Sequence, residues 1–205
     1  MRFLDFKEQL KDFTVFSLAD IRMLDGSFHR RRLNEWQDKG YIRKIIRGYY
    51  VFADTDTAEP ALYEIANRIY APSYVSFETA LAYHGLIPES VYGVVSASTR
   101  KTSRFKTFAG SFSYRTVARR AFFGYSAEEY GRGRFTMAEI EKALVDYLYL
   151  HPAAGPEGDF SDLRLNAGTW RQKVDGRKLA EHAGRINRKS LSKRVKQLLR
   201  FMDNA

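Results

Sequence analysis

The chain has 205 residues, 44% hydrophobic and 28% charged, which suits a folded protein with room for one large or two small cores and argues against extensive disorder. The absence of cysteine excludes a disulfide framework and a thiolate metal site. Net charge is +10, with 11 basic against 7 acidic residues over 1–52, 11 against 11 over 53–150 and 12 against 6 over 151–205. Both ends favour a polyanionic partner and the middle does not. Charge follows Met1 too early for a signal peptide, and no apolar run is long enough to span a bilayer, so the sequence predicts a cytoplasmic protein without membrane contact.

In chain order, Phe3, Phe6, Leu10 and Phe13 recur at near-helical spacing and predict an amphipathic helix over 3–13. Ser17 with Asp20 three residues later predicts a capped helix from Ser17 to Leu24. After Asp25-Gly26 a second capped helix is expected from Ser27 to Lys39, with Leu33, Trp36 and Gln37 inward and Ser27, Arg31 and Asn34 outward. Gly40 should close it as a left-handed cap, and residues 41–46 and 49–52 should form a hairpin about Arg47-Gly48. Two short helices and a β-ribbon predict a winged helix-turn-helix over residues 1–53.

Its candidate DNA-reading residues are Ser27, Arg30, Arg31, Arg32 and Asn34 on the helix, and Arg43, Lys44 and Arg47 on the wing. Arginine and asparagine can each make paired hydrogen bonds to a base edge, and the remaining cations suit phosphates. The competing structural reading is a solvated basic helix face beside an ordinary hairpin.

Residues 54–59 are short and polar and predict a linker to a second domain over 54–205. There Pro60 should open a helix that Pro72 ends, a helix should run from Ser76 to Gly85, and Val91 to Ser98 should be a strand. Arg104–Phe108 and Ser111–Val117 should flank Ala109-Gly110 as a hairpin. Arg100, Lys101, Arg104, Arg115, Arg119 and Arg120 lie near Phe105, Phe108 and Tyr114, a mixture that can stack single-stranded nucleic acid or be merely a charged hairpin face. Thr136–Glu139 reads as a capping box before a central helix striped with Ile140, Ala143, Leu144, Tyr147 and Leu148. A loop is expected over His151–Phe160, then two amphipathic helices. The last, over 188–203, carries a second basic surface of Lys193, Arg194, Lys196 and Arg200 that could extend a DNA footprint, contact RNA or stay solvated. The fold class expected is α+β with a helical C-terminus.

Enzyme chemistry has little support. Glu139, Glu141, Lys142 and Asp146 could hold Mg²⁺ in a nuclease, but Glu139 fits a cap and the other three border a core-facing helix. His29, His84, His151 and His182 lack paired ligand spacing, and no nucleophile elbow or phosphate-cradling glycine pattern occurs. No catalytic residue, metal or cofactor is expected.

Ile65-Ala66-Asn67-Arg68-Ile69-Tyr70-Ala71-Pro72-Ser73-Tyr74-Val75-Ser76, Glu78-Thr79-Ala80-Leu81 and Tyr83-His84-Gly85-Leu86-Ile87-Pro88-Glu89 resemble the AbiEi-type antitoxins of bacterial abortive-infection systems. So do Phe112-Ser113-Tyr114-Arg115, Phe122-Phe123-Gly124-Tyr125 and Glu141-Lys142-Ala143-Leu144-Val145-Asp146-Tyr147-Leu148-Tyr149-Leu150. The resemblance covers most of 15–150 and is only general beyond Pro152. It implies a type IV antitoxin whose winged helix represses its own operon at inverted-repeat operator DNA, and whose second domain counters a nucleotidyltransferase toxin without a stable complex. It carries over no catalytic residues. The rival functions are a regulator whose second domain senses a ligand and a metal-dependent nuclease.

Overall fold

A computed structural model describes residues 2–88, 93–152 and 160–204. Its N-terminal part runs α1 (Phe3–Gln9), β1 (Phe16–Ser17), α2 (Leu18–Leu24), α3 (Arg31–Asp38), β2 (Ile42–Ile46) and β3 (Tyr49–Phe52), with an antiparallel sheet in the order β1-β3-β2. Phe6, Leu10, Phe16, Phe28, Leu33, Trp36, Tyr50 and Phe52 are among its buried core residues. The Phe6 ring lies 4.5 Å from Trp36 and 5.3 Å from Phe16, so a few large rings supply the apolar area that a short segment cannot gather otherwise.

The first helix ends at Gln9, short of the expected residue 13, and β1 follows where no strand was expected. Val15 and Phe16 enter different cores, and neighbouring side chains diverge in this way on extended backbone.

The second part contains α4 (Glu59–Ile69), β4 (Ser73–Val75), α5 (Phe77–Tyr83), β5 (Val94–Ser98), β6 (Ser103–Lys106), β7 (Ser111–Thr116), β8 (Tyr125–Tyr130), β9 (Gly133–Ala138) and α6 (Ile140–Leu150). The helices α7 (Ala167–Lys173), α8 (Gly176–Ile186) and α9 (Lys189–Asp203) complete it. The sheet order is β6-β7-β5-β4-β9-β8, with β5/β7 and β4/β9 parallel and the other pairs antiparallel. The chain is thus α+β: N-terminal helices with a small sheet, a mixed six-stranded sheet and a helical C-terminus. No helix among the described residues is long and apolar enough to cross a membrane.

Side-chain alternation fixes what lies on each face of the large sheet. Tyr114 donates its hydroxyl to Ala66 O of α4 at 2.7 Å, whereas the next residue, Arg115, pairs with Glu78 of α5 at 3.1 Å. Tyr74 projects toward α6, where its hydroxyl meets Asp146. Helix α4 therefore covers one face and α6 the other, and α8 and α9 pack on α6.

Several expectations change. Thr136–Ala138 belongs to β9, not to a capping box: Thr136 N–H donates to Asn67 Oδ1 at 2.7 Å, and Glu139 precedes α6 without a side-chain cap. The hairpin β8–β9, the strand β4 and the helix α7 were not expected. The expectations for Glu89, for Val91 and for residues 153–159 of the loop lie outside the described residues. Residues 55–58 are coil between β3 and α4, and Glu59 already belongs to α4.

The two parts meet on the α4 side. Asp20 accepts from Arg68 at 2.8 Å, while Glu64 accepts from the hydroxyls of Thr14 at 2.7 Å and Tyr130 at 2.6 Å. Val15, Ile45 and Val51 join the large core.

Candidate nucleic-acid interface

The turn before α3 is built by Asp25, whose Oδ1 accepts from both the N–H and the hydroxyl of Ser27 at 3.0 and 2.6 Å. Those bonds hold Asp25 below the usual carboxylate range, the Ser27 hydroxyl contributing most. Ser27 therefore does not open the recognition-like helix; it belongs to an Asx turn. Phe28 then plunges into the core, and α3 begins only at Arg31. At its other end Gly40 adopts φ +69°, its N–H bonds Gln37 O at 2.9 Å and Tyr41 N–H bonds Trp36 O at 2.9 Å. These two bonds form a Schellman cap that stops the helix and aims the chain into β2.

With Leu33 and Trp36 buried, the helical period turns Arg31, Asn34, Glu35 and Asp38 outward. Arg31 is nearly free, 90% exposed, with its guanidinium 3.7 Å from Glu35. Arg30 is exposed on the preceding turn. Arg32 differs, being half-buried with its guanidinium 5.5 Å from the Trp36 ring centroid, so it lies along the edge of the core. Two carboxylates on the outward face reduce its pull on phosphates, although a glutamate can accept from a cytosine amino group.

On the hairpin, Gly48 at φ +92° makes the turn and leaves Arg47 exposed at its tip. Ile45 is a bulge, since Lys44 faces Tyr50 and Ile46 faces Tyr49. Lys44 is exposed. Arg43 lies 3.4 Å over the ring of Phe108 in the β6–β7 turn, so its guanidinium is engaged with the second part. The structure thus places Arg30 just before α3 and Arg31 and Asn34 on it, and leaves Lys44 and Arg47 on the ribbon that follows, while Ser27, Arg32 and Arg43 have structural partners.

The second basic surface also divides. Lys193, Lys196 and Arg200 are exposed on α9, whereas Arg194 is half-buried and donates to His151 O at 2.8 Å. The basic and aromatic residues around β6–β7 do not form a stacking platform. Tyr114 is buried, Phe105 packs 5.9 Å from it, and Arg100 lies 4.0 Å over Tyr70.

Sequence reasoning missed a buried polar cluster. Lys142 and Asp146, expected to border the core, are fully buried and ion-paired to each other. Tyr74 and Ser76 each donate a hydroxyl to Asp146 Oδ2 at 2.8 Å, and Lys142 Nζ lies 2.9 Å from Tyr74 Oη. Burial pushes the Asp146 carboxyl up and the Lys142 ammonium down, against their mutual attraction. Gly124, at φ +72°, leaves room for this lysine, because a Cβ there would sit 3.0 Å from Lys142 Cγ. Phe77, at φ +55°, enters α5 through left-handed backbone between Ser76 and the Arg115 guanidinium, 4.9 Å above its ring. The segments Ser73–Ser76 and Glu141–Asp146, far apart in the chain, meet in this cluster.

Elsewhere Glu139 is paired with Lys178 and His182, each at 3.2 Å, and Glu141 accepts from Asp175 N–H at 2.9 Å. Among the described residues no group of three or more metal-ligating side chains converges. Compared with known proteins, the chain matches no family model and no curated protein.

Proposed function

We propose that this protein is a winged helix-turn-helix DNA-binding repressor that acts as a bacterial antitoxin. The observation that carries the DNA-binding half is the outward face of α3, where Arg31, within 3.7 Å of Glu35, and Asn34 stand exposed opposite Leu33 and Trp36, with Arg47 exposed at the tip of the ribbon that follows. The order α1-β1-α2-α3-β2-β3, with β1 joining the ribbon, is what a winged helix requires. In this reading α3 enters the major groove, Arg31 and Asn34 contact base edges, and Arg30, Lys44 and Arg47 hold phosphates. This reading calls on no catalytic residue, metal or cofactor and has the protein work in the cytoplasm on inverted-repeat operator DNA.

The antitoxin half rests on the resemblance of most of residues 15–150 to the AbiEi type, and it assigns the second part to opposing a nucleotidyltransferase toxin without a lasting complex. The buried Lys142–Asp146 cluster supports a scaffold role for the shared stretches, since their polar residues hold the fold together. The test is expression of the chain together with any nucleotidyltransferase that the neighbouring reading frame encodes. Restored growth supports the antitoxin. Failure to restore growth, with operator binding intact, would confine the protein to transcriptional control.

A further inference from the structure

Lys189, Lys193, Lys196 and Arg200 follow one another on α9 at steps of four, three and four residues, and all are exposed. At 3.6 residues per turn they fall within roughly 60° of one another along about 16 Å of helix. That stripe lies opposite Leu191, Val195, Leu198 and Met202, which α6 and α8 bury. It borders a groove completed by Gly184, Asn187, Arg188, Ser192 and Gln197, and among the described residues no acidic side chain lines it.

The chemistry of the groove narrows the partner. It has no aromatic side chain on which an unpaired base could stack and no apolar anchor for a bilayer. A straight row of cations flanked by amide and hydroxyl groups suits the phosphates of a duplex.

Position decides how that duplex relates to the one proposed for α3. The N-terminal part sits on the α4 side of the large sheet through Asp20–Arg68 and Thr14–Glu64. The stripe on α9 points outward from α6, on the other side of the same sheet. The two basic surfaces therefore lie toward opposite sides of that sheet.

We infer that the α8–α9 groove is a second DNA site, independent of sequence, so that one molecule holds two duplex segments, one on α3 and one on α9. The inference rests on the proposed DNA binding by α3, which supplies the occupant: once α3 holds DNA, distant segments of that molecule reach the groove at high effective concentration.

The test uses the full chain and an immobilised duplex of random sequence, followed by capture of a second, labelled duplex. The wild type should capture it; the variant K193Q/K196Q/R200Q should bind the first duplex and lose capture of the second. In direct titration the groove variant's salt slope should fall by roughly 0.9 for each phosphate contact removed. The charge-preserving K193R/K196R should restore capture. A variant of the other surface, R30Q/R31Q, should still hold one duplex through the groove. Capture undiminished in the glutamine variant would overturn the inference by assigning bridging to association of two molecules. Wild-type binding of one duplex without capture, or capture of duplex RNA but not DNA, would also overturn it while leaving α3 as the DNA reader. Should R30Q/R31Q bind and bridge like the wild type, the reading of α3 fails and the groove stands.

Discussion

Lys142 and Asp146 show how far a side chain's surroundings can depart from its sequence context. Four residues apart on α6, they are expected from the sequence to border its core-facing stripe. Two hydroxyls from a segment some seventy positions away, Tyr74 and Ser76, decide otherwise and seal both charges from water. Because the attraction between buried charges is set against two desolvation costs, removing one partner is worse than removing both. Lys142→Met should destabilise by about 3–5 kcal/mol, whereas the double change Lys142→Met with Asp146→Leu should recover most of that loss, as urea unfolding would reveal. Equal stability of the two variants would deny the coupling. The same scale governs α3. Arg31→Ala and Asn34→Ala should each reduce discrimination between a selected and a scrambled duplex by about 1–3 kcal/mol, the worth of a paired contact to a base edge. Arg47→Ala should instead weaken binding to both duplexes and lower the salt slope by roughly 0.9, the signature of one phosphate contact. Titrations at several salt concentrations separate the two behaviours.

Elements with a local signal in the sequence were legible, and those made by distant partners were not. The capping box at Ser17 and Asp20 forms as expected, with Asp20 N–H 3.3 Å from Ser17 Oγ and Ser17 N–H 2.7 Å from Asp20 Oδ2. Gly40, the Arg47-Gly48 turn, the β6–β7 hairpin and the stripes of α8 and α9 also follow from neighbours in the chain. The α3 start was placed too early because Ser27 resembles a cap, while the turn it occupies is set by Asp25 two residues before. Strand β8, Tyr125–Tyr130, is polar and carries no alternating apolar pattern, and it exists through pairing with β9. Strand β4 is three residues long and gains its place between β5 and β9. The exposed residues of the candidate site, Arg30, Arg31, Asn34, Lys44 and Arg47, were legible from helical period and turn. The engagement of Arg43 with Phe108 was not, since it joins two separate hairpins. Glycine caps offer a test at this scale. A Cβ at Gly40 meets nothing within 4 Å, so Gly40→Ala pays only for left-handed backbone, about 1 kcal/mol. Gly124→Ala adds the contact with Lys142 and should cost more; urea midpoints that rank the two in the opposite order would contradict the packing described.

At the scale of the whole molecule, the N-terminal part and the large sheet share more than residues 55–58. Val15, Ile45 and Val51 are buried with the large core, and Asp20, which caps α2, also accepts from Arg68 of α4. The helix preceding α3 is thus tied directly to the second part. Calorimetry of the full chain should therefore show one cooperative transition, because melting either part strips apolar surface from the other. Two resolved transitions would mean that the shared contacts are energetically minor.

Whether α3 reads DNA sequence is decided by selection from a random duplex pool followed by competition binding. The wild-type chain should enrich a defined sequence and prefer it to a scrambled duplex, and Arg31→Ala should weaken that preference by about 1–3 kcal/mol while leaving salt-dependent binding in place. Enrichment of no sequence by the wild type, or a preference unchanged in Arg31→Ala, would contradict sequence reading by α3.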